Sequence, residues 1–235
     1  MFLSELLGVD LSAKGVFNAL IDKDNNFFIN IIRIKKANTP EFSMAYQHLN
    51  QFFSDIATLL ENAEQADVKD PFFRAARNKF TFHEVNGINL GFSETRWGAG
   101  WGDATSDQVL KDAFQIVKKG SKQPEIFHLV ALFEDNVAGD RLSDMVATII
   151  EPDIKAYTLR MMKEMGIERS THLNLVFRED GLLQNPYKQY PILMLPEEVL
   201  HELPIAKGWS DIERVESQNR AIRAEMSAYV RETLI

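Results

Sequence analysis

The spacing of apolar residues predicts helices more clearly than strands along most of this chain. After Thr39-Pro40, apolar side chains recur at three- and four-residue steps, which places them on one face of a helix. The stripe comprises Leu49, Phe52, Phe53, Ile56, Leu59, Leu60 and Ala63. Thr39 is a good N-cap and Pro40 suits the first helical position. The sequence therefore predicts an amphipathic helix that begins at residue 40.

A second helix is predicted from about Asp107 to Lys119. Thr105 and Gln108 have the spacing of a capping box, and Gly120 provides a C-terminal signal. The apolar positions that form its buried face are Val109, Leu110, Ala113, Phe114 and Val117.

Helical patterns continue through the C-terminal half. They cover 124–135, 142–166, 195–203 and 210–235. Pro152 is expected to kink or divide the second of these, because proline removes a helical hydrogen bond. The last helix begins at the capping box of Ser210 and Glu213, and the sequence provides no C-cap for it before residue 235.

Two antiparallel hairpins are predicted in the first half of the chain. The first, at 16–34, consists of two apolar runs around the turn sequence DKDNN. The second, at 80–93, has Asn86-Gly87 at its centre, a pair that adopts the positive φ angles of a tight turn. Short strands are also predicted at 172–177 and 191–195. The fold class is therefore α+β, with the hairpins packed against several amphipathic helices and with a helix-rich C-terminal half.

Composition narrows the classes of function. The chain has 235 residues, a formal net charge of −8 and no cysteine, which excludes disulfides and thiolate metal sites. The net charge disfavours a broad nucleic-acid surface, since such surfaces use Lys and Arg to neutralise phosphates. No apolar run approaches the length of a membrane span, and the N-terminus lacks the basic start of a signal peptide. We expect a cytoplasmic protein with a single domain over 1–235, or with a sub-boundary near residue 120.

A glycine- and tryptophan-rich loop, RWGAGWGDATSDQ at 96–108, is the first candidate site. Its glycines follow the spacing G-x-G-x-G, which matches neither the dinucleotide-binding nor the P-loop pattern. Arg96, Trp97 and Trp101 are instead suited to stacking on a partner's side chains or on bases. The alternative is that both indoles fold back onto the hairpin and the glycines only allow the loop to bend.

An acidic turn, FEDNVAGDRLSDM at 133–145, is the second candidate. Glu134, Asp140 and Asp144 are hard oxygen ligands that could hold Mg²⁺, with Arg141 on a substrate phosphate. This arrangement would make the protein a Mg²⁺-dependent nuclease or phosphodiesterase. The structural alternative is that Asp140 caps a helix, that Asp144 lies in its first turn, and that Arg141 pairs with either. The Asp-x-Lys letters at 153–155 lie within a helical pattern and do not meet the strand-end geometry of a nuclease.

Three segments, 124–150, 185–204 and 208–215, resemble the N-terminal region of an uncharacterised family of larger prokaryotic proteins. Proteins of that family often occur near anti-phage defence genes and can carry a PD-(D/E)xK nuclease-like domain at the C-terminus. The chain differs from them in ending where the longer proteins continue, and in the sequence of the loop at 94–105. The resemblance implies that these 235 residues form a recognition, regulatory or assembly module without the nuclease domain.

The leading expectation is therefore a non-catalytic interaction module of a prokaryotic, defence-related protein. It would contact a protein partner or a second copy through the loop that carries Trp97 and Trp101 and through the C-terminal helix. No cofactor and no membrane contact are predicted. The alternative is the Mg²⁺-dependent phosphodiester hydrolase that uses Glu134, Asp140 and Asp144.

Overall fold

The structure is a computed structural model, and it describes residues 1–91, 102–120, 139–172 and 174–202, without the side chains of 139–142. Its elements confirm the α+β class. In chain order they are α1 (Leu3–Leu7), β1 (Phe27–Ile29), α2 (Ile31–Lys36), α3 (Pro40–Asn62), α4 (Pro71–Lys79), α5 (Asp103–Lys118), α6 (Gly139–Glu164) and β2 (Leu200–Glu202). Single 3₁₀ turns lie at Ser12–Lys14 and Glu197–Val199. No helix within the described residues has the length and apolar character needed to cross a membrane.

Helices α3 and α6 form an antiparallel pair at the centre of the core. The beginning of α3 lies beside the end of α6, where Phe42 contacts Tyr157 edge to face at a ring-centroid distance of 5.6 Å. The predicted start at residue 40 is confirmed, and Pro40 occupies the first turn. Within the predicted stripe, Phe52 and Leu59 are partly buried and the other five residues are fully buried. Burial of each such large side chain contributes about 1.5–3 kcal/mol.

Helix α5 confirms the predicted buried face but begins earlier than the pattern indicates. Val109, Leu110, Ala113, Phe114 and Val117 are all buried. The helix starts at Asp103 with Gly102 as N-cap, so the predicted capping box is wrong. Gln108 lies within the helix, and its side-chain amide donates to Asp112 Oδ2 at 3.0 Å instead of reaching back to the N-terminus.

Helix α6 covers most of the long pattern predicted at 142–166, and Gly166 follows it with a φ of +67°. Pro152 does not divide the helix, which runs from residue 139 to residue 164. Ile150 and Ile154, on either side of the proline, are completely buried. Their packing holds both halves of the helix in the core and offsets the loss of one backbone hydrogen bond.

The predicted hairpin at 16–34 is wrong. Its second run divides at Asn30, whose side-chain oxygen accepts from the N–H groups of Ile32 at 2.9 Å and Arg33 at 3.4 Å and thereby begins α2. The three residues before Asn30 form β1, which pairs antiparallel with β2 in the register Phe28↔His201. The helix predicted at 195–203 is replaced by a 3₁₀ turn and by β2, since this segment provides the partner of β1.

The predicted hairpin at 80–93 is also wrong over its described residues, 80–91. The chain turns at Asn86-Gly87 as expected, but the flanking residues pair with other segments. Gly87 O accepts from Leu193 N at 2.9 Å, and Asn89 O accepts from Asn25 N at 2.8 Å. Likewise, the described residues of 172–177 and 191–195 make isolated bridges in place of the predicted strands. Backbone groups in these loops therefore bond to residues distant in the sequence.

Candidate functional site

The structure describes few of the side chains that the sequence analysis singled out. Arg96, Trp97, Trp101 and Glu134 lie outside the described residues. Asp140 and Arg141 lie in α6, but their side chains are also outside the described part. The predicted stacking loop and most of the predicted acidic cluster therefore remain predictions.

Asp144 is the member of that cluster whose side chain is described. It is partly buried in α6 and lines a small cavity together with Asp24 and Glu84. The cavity has a volume of about 10 Å³, room for at most one water-sized molecule. Burial raises the pKa of Asp24, the nearby Glu84 acts in the same direction, and Lys188 opposes both. Among the described residues, no group of three His, Asp or Glu side chains is placed to hold a metal ion.

A much larger cleft lies where the α3–α6 pair meets two loop segments. Residues 14–15, 38–40 and 196–198 line it together with the C-terminal turns of α6 from Tyr157 to Glu164. We call it the Tyr157 cleft. Its volume is about 630 Å³, within the range of small-molecule sites. It is therefore the candidate binding site in the described part of the chain.

One wall of the cleft is the N-terminus of α3, which Glu198 caps from the loop after Pro196. The Glu198 carboxylate accepts from the backbone N–H of Asn38 at 3.1 Å and from the N–H and hydroxyl of Thr39 at 2.9 and 2.6 Å. Burial acts to raise the pKa of Glu198, but the hydrogen bonds from Thr39 and Asn38 together outweigh it and hold the pKa below its ordinary value. The partial positive charge of the helix N-terminus is thus already neutralised by the chain itself.

The α6 side of the cleft carries Arg160, whose guanidinium joins two carboxylates. Its Nε and Nη2 atoms donate to the two oxygens of Glu41 at 2.6 and 2.9 Å, and its Nη1 donates to Glu164 at 2.6 Å. The hydrogen bond from Arg160 holds the pKa of Glu41 below its ordinary value, and Glu41 in turn raises the pKa of Arg160. Such bidentate pairs fix the direction of the guanidinium as well as its charge. This network gives the wall a defined shape.

Tyr157 forms the floor of the cleft. Only 2% of its surface is exposed, and its ring packs between Phe42 and the Arg160 guanidinium, which lies 5.4 Å from the ring centroid. The Tyr157 hydroxyl is protonated at neutral pH, and burial raises its pKa further above its ordinary value. The described residues provide no hydrogen-bond partner for this hydroxyl. It is not among their fully buried unpaired side-chain atoms, so it is accessible from the cleft that Tyr157 lines. An unpaired hydroxyl on the floor of a cleft indicates a position where a ligand can bond.

Sequence reasoning did not find this cleft. Its walls come from four segments that are far apart in the chain, and no spacing rule connects them. The sequence correctly predicted the helix start at Thr39-Pro40, which forms one wall of the cleft, but it did not indicate the cleft itself. That start did not indicate Glu198 as the residue that caps the helix, because the two lie 159 residues apart.

A His–Asp pair lies farther along the same two helices. His48 Nδ1 is 2.9 Å from Asp153 Oδ2, and the Asp153 side chain is buried while that of His48 is half exposed. Lys155 pairs with Glu151 at 2.6 Å and not with Asp153. The Asp-x-Lys letters at 153–155 therefore lie within α6, as predicted, with their side chains engaged in different contacts.

Comparison with known proteins assigns the chain to a protein family. The family described as "Domain of unknown function (DUF8370)" matches residues 7–207, which is most of the chain, and the chain belongs to it. No curated protein and no solved structure matches it. The resemblance to an uncharacterised family is thus confirmed at this level.

Proposed function

We propose that this member of the DUF8370 family is a non-catalytic interaction module that binds its partner in the Tyr157 cleft. The observation that carries the proposal is Tyr157, which lies on the floor of a cleft of about 630 Å³ and whose hydroxyl has no hydrogen-bond partner among the described residues. Clefts of this size, with a few fixed polar groups, are the usual form of ligand sites.

The contacts of the charged residues favour binding over catalysis. Glu198 caps α3, and Arg160 is held by Glu41 and Glu164. General acid–base work needs a group that can exchange a proton near neutral pH. The shifts of Glu41 and Glu198 go downward, away from that range, and that of Tyr157 goes upward. These residues are suited to shaping a surface and orienting a ligand.

The wider setting is part of the same proposal. We propose a module in the cytoplasm of a prokaryote, in a defence-related protein of the kind that can carry a nuclease-like domain, because the resemblance of 124–150, 185–204 and 208–215 implies such proteins. The loop with Arg96, Trp97 and Trp101 and the C-terminal helix would supply a second contact with a partner or another copy. Their apolar and aromatic residues are of the kind that dominates interfaces.

A photo-crosslinking experiment tests the cleft as the binding site. p-Benzoylphenylalanine replaces Lys14, which is exposed at the rim, or Lys69, which is exposed beyond the far end of α3. The 23 residues of α3 span about 35 Å, so the control position lies well away from the cleft. In the native host, a partner adduct is expected from position 14 and not from position 69.

The identified partner is then purified and measured against two variants. Lys14→Trp places a large ring at the rim and should weaken binding at least tenfold, whereas Lys69→Trp should leave the dissociation constant unchanged. Equal adducts from positions 14 and 69, or equal affinity of the two tryptophan variants, would refute the assignment of the cleft.

The Mg²⁺-dependent phosphodiesterase is retained as a second proposal because of Asp144. Asp144 is partly buried and lines a small cavity with Asp24 and Glu84, although no three such side chains among the described residues are placed to hold a metal ion. The reaction would use Glu134, Asp140 and Asp144. Metal-dependent cleavage of DNA or RNA that disappears in Asp140→Ala and Asp144→Ala would support it, and cleavage that survives both substitutions would exclude it.

A further inference from the structure

We infer that the Tyr157 cleft takes a cationic side chain, a lysine or arginine from a short segment of a partner protein. This inference rests on the proposed function and adds the chemistry of the occupant. Three carboxylates line the cleft, those of Glu164, Glu197 and Glu198, against the two cations of Lys14 and Arg160. The Glu41 carboxylate behind Arg160 adds a further negative charge.

The positive groups of the cleft are largely neutralised by the chain itself. Arg160 donates to two carboxylates, at 2.6 Å to Glu41 and at 2.6 Å to Glu164. The N-terminus of α3, the usual place for an anion, is capped by Glu198. An incoming anion would have to displace a carboxylate at either of these two places, which leaves it Lys14 at the exposed rim, whereas a cation is favoured because the carboxylates of the cleft outnumber its two cations.

The Tyr157 hydroxyl supplies the specific contact. It is protonated at neutral pH, as tyrosine hydroxyls are, and its oxygen has lone pairs that can accept from an ammonium or guanidinium N–H. A hydrogen bond with one charged partner is roughly twice as strong as a neutral one. The side of the ring towards Arg160 is covered, with the guanidinium 5.4 Å from the centroid. A new cation is thus directed to the hydroxyl and to the carboxylates at the rim.

Titration of the full chain with three peptides tests the inference. The probes are tetralysine, tetraglutamine and tetraglutamate with blocked ends, and the readout is the ¹³C-methyl resonance of methionine. Met161 lines the cleft, and Met145 is fully buried near the other end of α6, so it serves as the internal control. Tetralysine is expected to shift the Met161 resonance in a saturable manner and to leave Met145 unchanged.

Matched variants separate a specific site from attraction to the net charge of −8. Glu197→Gln removes a carboxylate from the rim, and Glu64→Gln removes one from an exposed position beyond the far end of α3. Glu197→Gln and Tyr157→Phe should each weaken tetralysine about fivefold, the size expected for a single hydrogen bond or close charge. Glu64→Gln should change the affinity by less than a factor of two.

The outcomes are distinct. Two results overturn the cationic occupant but leave the cleft as a binding site. One is a Met161 titration in which tetraglutamate binds more tightly than tetralysine, and the other is equal weakening of tetralysine binding by Glu197→Gln and Glu64→Gln. Absence of a Met161 shift with tetralysine overturns the cationic occupant as well. Failure of the cross-link from position 14 is a separate result, which overturns the proposed function itself.

Discussion

Gly87→Ala is expected to be strongly destabilising, because the turn at Asn86-Gly87 lies directly against the 190–193 loop. Gly87 has a φ of +109°, and an added Cβ would lie 2.2 Å from the carbonyl oxygen of Pro191. That oxygen belongs to the backbone and not to the flexible end of a side chain. The two segments must therefore move apart to accommodate a methyl group.

The magnitude follows from two contributions. The left-handed backbone conformation costs a residue with a Cβ about 1–2 kcal/mol. Moving the loops apart also breaks the hydrogen bond from Leu193 N to Gly87 O, now 2.9 Å, and Leu193 is buried. An unsatisfied buried donor costs about 1–3 kcal/mol. The sum, about 2–5 kcal/mol, is a large fraction of the 5–15 kcal/mol that stabilises a typical domain.

Urea unfolding followed by circular dichroism measures this cost, with Gly8→Ala as the matched control. Gly8 has a φ of +68°, and no atom lies within 4 Å of its added Cβ, so this variant bears only the conformational cost. Gly87→Ala should therefore lose at least about 1 kcal/mol more than Gly8→Ala. Equal losses in the two variants would refute the argument from close approach.

Three further changes test other parts of the fold. Thr158→Val should cost about 1–3 kcal/mol in urea unfolding, because the fully buried Thr158 hydroxyl accepts from Met194 N at 2.9 Å; a loss below about 0.5 kcal/mol would contradict this. Arg160 holds the pKa of Glu41 below its ordinary value of 4.5. The ionised Glu41 therefore adds to the free energy of unfolding at neutral pH, and this stabilisation is lost as the pH falls through the folded-state pKa. Urea unfolding measured at several pH values between 7 and 3 should show the difference in free energy of unfolding between wild type and Glu41→Gln becoming smaller as the pH falls. A difference that does not change with pH would contradict this. Asn30→Ala should cost about 1 kcal/mol through loss of the α2 cap, while Asn30→Ser should restore most of it.

Helices could be predicted from this sequence because their signals are local. The stripe of α3 and the buried face of α5 repeat within a few turns, and both are buried as expected. Helix α4 was not predicted, although Asp70-Pro71 has the N-cap and first-turn proline of a helix start. Its nine residues bury only Phe73 and Ala76, too few to produce a periodic pattern.

Strand pairing could not be predicted because the partners lie far apart in the sequence. The apolar run at 27–34 resembles one strand of a local hairpin, yet its first three residues pair with 200–202. Asn30 was the local sign that this run divides into a strand and a helix, since Asn is among the best N-caps and here starts α2. The turn at Asn86-Gly87 was recognised correctly, but side chains such as Asn25 bind its flanks to other loops.

The binding cleft could not be predicted either, because the segments that line it are far apart in the sequence. One of its residues, Tyr157, belongs both to the core and to the cleft. The Tyr157 ring belongs to the core, where it packs on Phe42, whereas its hydroxyl faces the cleft without a partner among the described residues. Loss of an unpaired hydroxyl removes no hydrogen bond from the folded state, so Tyr157→Phe should change the free energy of unfolding by less than about 0.5 kcal/mol. Weaker peptide binding by an equally stable Tyr157→Phe variant would therefore reflect the lost contact, whereas destabilisation above about 1 kcal/mol would mean that the hydroxyl already bonds within the protein.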